Sequence, residues 1–253
     1  MRLDYSADIN RADWQAILRQ ADTANVFHAP EYFDLQTQIG HGLVSLCAYA
    51  EGEPVGVIAG YRNQFGYHAG LIEIGTKSGG WPVMIDRLDR LPDADEIKNA
   101  FLAEFARRYL DGQKFVFYPC FRMKTCVFED PARGCAKQLD ATAFIDLTLD
   151  ESVLWKNLGD KGRNMVRSAQ KQGVTVRIAN ELRYFEQFYE CYQSLAIQQG
   201  RGHIGYDELR AKFEAFTRNG IGDLWAAFVG ERAAAFAFIW KYKRNINYVY
   251  QSS

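Results

Sequence analysis

The sequence predicts a mixed α/β (α+β) protein built from two similar units, each with a mixed sheet flanked by helices. Three observations predict it. Candidate strands and helices alternate along the chain, as they do when helices cover a sheet. A hairpin pattern occurs twice, first as LVSLCAYA and PVGVIAGYR around Glu51-Gly52-Glu53, then as LWAAFVGERAAAFAFIW. Two helix candidates precede each hairpin, and a further strand follows each.

The elements of the first unit come in a readable order. Helical period in Asp13 to Ala21 puts Trp14, Ile17 and Leu18 on one face, and Glu31 to Ile39 predicts a second helix after the turn at Pro30. The first hairpin follows, then a strand from Tyr67 to Ile74. GTKSGGWP reads as a plain turn, because a phosphate-binding Walker loop needs Lys and then Ser or Thr after its last glycine, and here Lys77-Ser78 comes before the glycine pair. Asp86, Asp89, Asp93, Asp95 and Glu96 read as a solvated loop and a helix start. Ala94 to Leu110 is an amphipathic helix, and Lys114 to Tyr118 a short buried strand.

The second unit repeats the plan. Thr142 to Leu147 predicts a strand, and Asp150 or Ser152 can cap the next element. After a basic segment comes a strand at Val174 to Ile178. Glu181 to Gln199 is a helix with Leu182, Phe185, Phe188, Tyr192 and Leu195 on one face, and Tyr206 to Phe216 a second with Leu209, Phe213 and Phe216 inward. Both stripes read as core. Laid over the first hairpin at a shift of 178 residues, the second matches Leu46 with Leu224, Ala48 with Ala226, Gly52 with Gly230, Glu53 with Glu231 and Ala59 with Ala237. These observations predict an internal duplication, with units at residues 1–141 and 142–253 and the boundary near Leu139 to Phe144. Few residues follow the second hairpin and the strand Asn245 to Tyr250, so the second unit is expected to be incomplete at its C-terminal side.

The segment Lys156 to Arg177, KNLGDKGRNMVRSAQKQGVTVR, carries six basic residues against one acid in a chain of net charge −1. Such a density points to an anionic ligand. On a continuous helix Lys156, Arg167 and Lys171 fall within about 80° of Arg163, opposite Leu154, Leu158, Met165 and Ala169. This predicts a basic ridge above an apolar floor, with Arg163 and Arg167 exposed. Gly159 and Gly162 allow the alternative of a loop followed by a helix beginning near Arg163, whose free N–H groups also favour an anion. A plain solvated face remains the competing reading.

Composition limits the rest. With 48% hydrophobic and 14% aromatic residues, the chain can bury a substantial core. Its N-terminus has no apolar run of signal-peptide length, and the longest apolar stretch, Ala233 to Trp240, is too short to span a bilayer. A soluble, cytoplasmic protein without a transmembrane segment is expected. Cys47, Cys120, Cys126, Cys135 and Cys191 are scattered, lack C-x-x-C spacing, and fit reduced thiols rather than a metal site. Among the four histidines, His203 is expected to face solvent, His28 to pack locally before Pro30, and His41 and His68 have no carboxylate nearby in sequence. No general base and no Ser-His-Asp arrangement is legible, so the catalytic residues are left unassigned.

At the basic segment, Trp155 with Leu158, Lys161-Gly162-Arg163-Asn164, Val166-Arg167, Ala169, and Gly173-Val174 with Val176 resemble the Fem-type (FemABX) peptidyltransferases of the GNAT acyltransferase superfamily. Phe27 to Leu35 (FHAPEYFDL) is similar to the entry segment of that family's first unit, Gly79-Gly80-Trp81-Pro82 to its glycine-rich loop, and Phe188 to Gln199 to the helix after its basic patch. The resemblance implies tandem GNAT-like units and transfer of an acyl or aminoacyl group to an amine of a cell-envelope or polysaccharide precursor. It implies no permanently bound cofactor, with acyl-CoA or aminoacyl-tRNA as donor substrate. Phosphates occur on both donors and on nucleotide-linked or lipid-linked precursors. Lys161, Arg163, Arg167 and Lys171 are then the expected substrate-binding cations, with Asn164 a neutral hydrogen-bond donor. The phosphate-bearing precursor is the expected partner, tRNA a further candidate, and DNA is not expected. Two departures stand out: no segment follows the last strand to hold a donor pyrophosphate, and no helical arm is inserted in the second unit. They favour a second reading, a non-catalytic anion-binding module of the same fold. A third, general RNA binding, is opposed by the near-zero net charge and by the lack of an RNA-binding module.

Overall fold

A computed structural model describes residues 2–64, 69–74, 82–117 and 144–252. Residues 142–143 of the strand proposed at Thr142 to Leu147, residues 75–81 of the GTKSGGWP loop, His68, Cys120, Cys126 and Cys135 lie outside them. The chain divides into two compact units, Met1–Asp140 with Lys241–Asn247, and Ala141–Trp240 with Tyr248–Ser253. The architecture is mixed α/β with two sheets flanked by helices, as expected from the sequence.

The first unit begins with β1 (Asp4–Ser6), α1 (Arg11–Arg19), a 3-10 turn at Val26–His28 and α2 (Pro30–Gln38). Asn10 caps α1 by accepting from the Asp13 amide, and Pro30 opens α2, where its missing N–H has no carbonyl to serve. Next come β2 (Gly42–Ala50), β3 (Glu53–Arg62), β4 (Ile72–Ile74), β5 (Val83–Met84), α3 (Asp86–Asp89), α4 (Ala94–Tyr109) and β6 (Phe115–Phe117). The sheet order is β1-β2-β3-β4-β6, with β5 beside β3. Neighbours are antiparallel except for β4 and β6, which run parallel on either side of the α4 crossover. Leu46, Cys47 and Ala48, consecutive on β2, are all fully buried, so both faces of the sheet are covered there. Trp14, Ile17 and Leu18 of α1, Tyr32, Phe33 and Leu35 of α2, and Phe101, Leu102 and Phe105 of α4 supply the cover.

Two acids expected in a solvated loop are structural instead. Asp86 on α3 accepts from the Asp22 amide at 2.9 Å and pairs with Arg90, and Asp89 pairs with Lys98, which is only 6% exposed. A buried ammonium needs a close anion. Lys98 on α4 has it in Asp89, the last residue of α3.

The second unit contains α5 (Glu151–Asn157), α6 (Asp160–Lys171), β7 (Val174–Ile178), α7 (Leu182–Gln198), α8 (Tyr206–Arg218), β8 (Gly222–Val229), β9 (Arg232–Tyr242) and β10 (Asn245–Ser252). Its sheet runs β10-β9-β8-β7. From β7 onward the order of strand, two helices and a three-strand meander repeats the order from β1 to β4. The turn glycines Gly52 and Gly230, which the 178-residue shift superposes, both adopt positive φ (84° and 60°), where a side chain would be strained. Phe188 meets Phe236, Phe213 meets Phe238, Phe216 meets Trp240 and Tyr184 meets Phe228 between helices and strands, while Phe185 stacks on Phe213, and all are buried. Leu182 departs from the expected stripe: as the first residue of α7 it is 39% exposed. The apolar residues Phe144, Ile145 and Leu147 form no strand among the described residues and are exposed (65%, 74% and 55%). Asp150 occupies the N-cap position of α5 without a side-chain capping bond.

Candidate functional site

The basic segment folds as two helices with a corner between them. Leu158 is extended (φ −68°, ψ 113°) and ends α5, and Gly159, also extended, precedes α6. Gly162 makes the corner possible, because a Cβ there would lie 2.9 Å from Leu158 Cγ. Neither helix buries a residue, so the expected apolar floor is not a packed face: Met165 is 65% exposed and Leu158 41%. The wheel that predicted a floor assumed one continuous helix, and the chain turns at Gly159.

The corner also decides what Arg163 does. A helix leaves its last carbonyls without partners, and those of α5 point at α6. Arg163 Nη1 donates to the carbonyls of Lys156 at 2.7 Å, of Trp155 at 3.3 Å and of Leu158, while its Nη2 pairs with Asp160. Its side chain is only 21% exposed. Arg163 is therefore not on the exposed ridge where the sequence placed it. It is the fastening of the corner, and its charge is offset by Asp160.

Lys161, Asn164, Arg167 and Lys171 take the outer position instead. At about 100° per residue these four fall within roughly 120° of arc on α6. All four are exposed, and among the described residues none of the three cations pairs with a carboxylate. Arg167 is steadied by Trp155, whose ring centroid lies 5.5 Å from the guanidinium carbon. The indole on α5 thus acts as a platform for a cation on α6. In the sequence Trp155 stands out only as part of the motif that resembles the Fem-type family, because its pairing with Arg167 depends on the corner. Three unpaired cations with an amide donor among them can bind a phosphate or diphosphate through charge-assisted hydrogen bonds.

The histidines offer no acid–base pair among the described residues. His28 is buried and accepts from the Asn25 amide at 3.0 Å, closing a capping box around the 3-10 turn. His41 accepts from the Gln64 amide at 3.2 Å and lies beside Tyr61, with ring centroids 5.3 Å apart. His203 is exposed in the loop between α7 and α8, as expected. Burial pushes the Cys47 thiol up to about 11, which makes it inert packing rather than a nucleophile. Burial, then a bond to Asp13 at 2.9 Å, raises the Tyr49 phenol as well. No cluster of His, Cys, Asp and Glu suited to a metal exists among the described residues, and no helix there is long and apolar enough to cross a membrane.

No family model and no curated protein matches the chain. Among solved structures the chain is similar to one described as "Crystal structure of FemX", with a TM-score of 0.60 and 14% identity. The match covers 90% of this chain and 57% of that one, so this chain spans a little over half the length of its structural neighbour. At that identity the likeness shows a shared fold, and the fold is Fem-like.

Proposed function

We propose that the chain is a Fem-type N-acyltransferase or aminoacyltransferase, in which the outer stripe of α6 holds a phosphate-bearing precursor while an amine receives the acyl group. The observation that carries this reading is the set of Lys161, Asn164, Arg167 and Lys171 on one exposed stripe, with no carboxylate partner among the described residues, within a Fem-like fold. Arg163 holds the stripe in place rather than contacting the ligand. In such a transfer a neutral amine attacks an ester of aminoacyl-tRNA or a thioester of acyl-CoA. An amide forms as the ester or thioester bond breaks, the tRNA hydroxyl or CoA thiol leaves with the proton the amine gives up, and alignment of the two reactants lowers most of the barrier. The substrate is a nucleotide-linked or lipid-linked cell-envelope precursor, and the site of action is the cytoplasm.

A second reading, an anion-binding module without transfer, draws on one observation: the buried histidines His28 and His41 are both engaged in structural hydrogen bonds. Titration with a nucleotide-linked muropeptide and with each donor class, acyl-CoA and aminoacyl-tRNA, followed by a mass-spectrometric search for an acylated product, separates the two. Binding with product supports transfer. Binding without product with either donor class supports the module, and binding of neither ligand removes both readings.

A further inference from the structure

Toward the C-terminal end of β7, two guanidiniums meet on one phenol. Arg177 donates to Tyr184 Oη at 3.1 Å, and Arg183, in the first turn of α7, donates to the same oxygen at 3.2 Å. Their Nη2 atoms therefore lie no more than roughly 6 Å apart. Arg177 is held flat against aromatic surface, its Cζ 4.1 Å from the Phe228 ring centroid and 5.5 Å from that of Tyr184. Arg183 lies 4.6 Å from the Tyr184 centroid. Tyr184 and Phe228 are themselves buried and meet edge to face at 5.5 Å, so the surface beneath both guanidiniums is rigid.

What is missing is a counter-charge. Among the described residues neither arginine has a carboxylate within ion-pair distance, and the first turn of α7 carries no acid. Glu181, at the N-cap of α7, makes no side-chain capping bond. Arginines are commonly neutralised by a neighbouring acid, as Arg163, Arg107, Arg108 and Arg210 are here. The phenol oxygen that Arg177 and Arg183 share is a hydrogen-bond acceptor but carries no net charge to neutralise them. Both side chains remain exposed, so their free N–H groups are open to a ligand.

We propose that Arg177 and Arg183, oriented by Tyr184, form a second anion site that takes a phosphoryl group and is separate from the stripe on α6. Each guanidinium presents a planar fork that fits two oxygens, and a phosphate monoester carries about two charges for two cations, where a carboxylate carries one. Tyr184 is a positioning residue: its oxygen fixes the angle of both forks without needing to touch the ligand.

Inorganic phosphate, titrated at constant ionic strength and followed through the arginine Nε–Hε signals by NMR, tests the site. The signals of Arg177 and Arg183 should follow one saturable curve. Arg183→Gln should weaken it about tenfold, as loss of one charge-assisted contact does. Arg177→Met, which keeps methylenes over Phe228, should do the same, and Tyr184→Phe should weaken it less. Lys161→Ala with Arg167→Ala should leave it unchanged, so the outcome is independent of the function proposed for α6. Shifts that follow ionic strength without saturating would overturn the site, as would binding lost in the α6 variant but kept in Arg183→Gln. Acetate binding as tightly as phosphate would overturn the phosphoryl assignment.

Discussion

Arg163 Nη1 donates to the backbone carbonyl of Lys156 at 2.7 Å, across the Gly159 corner and seven residues back in the chain. That bond separates two arginines which look equivalent in the sequence. Arg163→Ala should lower stability by about 1–3 kcal/mol, the range for losing hydrogen bonds to a charged group, and so lower Tm by several degrees. Arg167→Ala removes one exposed cation–π contact and should cost about 1 kcal/mol or less. Thermal denaturation of both variants decides it; equal losses would mean that the corner does not depend on Arg163.

Ligand binding should show the reverse order. Lys161→Ala combined with Lys171→Ala should reduce affinity for a nucleotide-linked muropeptide by about tenfold or more, with little change in Tm. The loss should shrink as salt is raised, because exposed charges are screened. Calorimetric titration at two salt concentrations is the check, and a salt-independent loss would argue against a phosphate contact.

Gly60 on β3 has no room for a side chain: a Cβ would lie 2.5 Å from the backbone oxygen of Glu73 on β4. Backbone cannot move aside as a flexible side-chain end can. Gly60→Ala should therefore destabilise the first unit by about 1–3 kcal/mol, as overpacking does. Gly159→Ala, where nothing lies within 4 Å, is the control and should cost less than about 1 kcal/mol. Urea denaturation of the pair gives the comparison.

Glu104 is held down to about 2 by hydrogen bonds from Arg107 and then Arg108 on the same helix. A carboxylate lowered in the folded state stabilises the protein above its unfolded value near 4.5, and that contribution fades as pH falls toward 2. Solvent screening keeps it to about 1 kcal/mol at most. The difference in urea midpoint between the protein and Glu104→Gln should be present at pH 5 and shrink toward pH 2. A difference that is constant across that range would show that the bonds do not couple to folding.

Cys47, with its thiol pushed up to about 11 and its side chain fully buried, should resist alkylation in the native protein. Iodoacetamide at pH 8 followed by peptide mass spectrometry should find Cys47 unmodified and Cys191, half-buried on α7, modified. Modification of Cys47 at the rate seen in urea would contradict the packing of β2.

Much of the fold was legible because long elements carry their own signal. The hairpins β2–β3 and β8–β9 and the helices α4, α7 and α8 fall where periodicity put them, within a few residues at each end. β1, β5 and α3 were missed. Each has four residues or fewer, too short to show a period, and each exists because a neighbour supplies its partner: β2 for β1, β3 for β5, and Lys98 for Asp89 on α3. The stripe on α6 was partly legible: Arg167 and Lys171 are exposed as the ridge predicted, and Lys161 and Asn164, which the wheel did not put there, join them. The role of Arg163 was not: on α6 it lies only about 40° from Arg167, and what takes it up is the set of α5 carbonyls that the Gly159 corner brings within its reach.

The sequence by itself determined the mixed α/β class, the repeat of one element order in two units, and the concentration of positive charge between Lys156 and Arg177. Those are properties of composition and period, which belong to the chain before it folds. Only the tertiary structure decided which of those charges are free. Arg163 is taken up by carbonyls that the Gly159 corner exposes, whereas Arg167 is set on Trp155 and left open to solvent. The reason is directional: a guanidinium is satisfied or available according to where backbone acceptors and aromatic faces come to lie, and a single corner moves both.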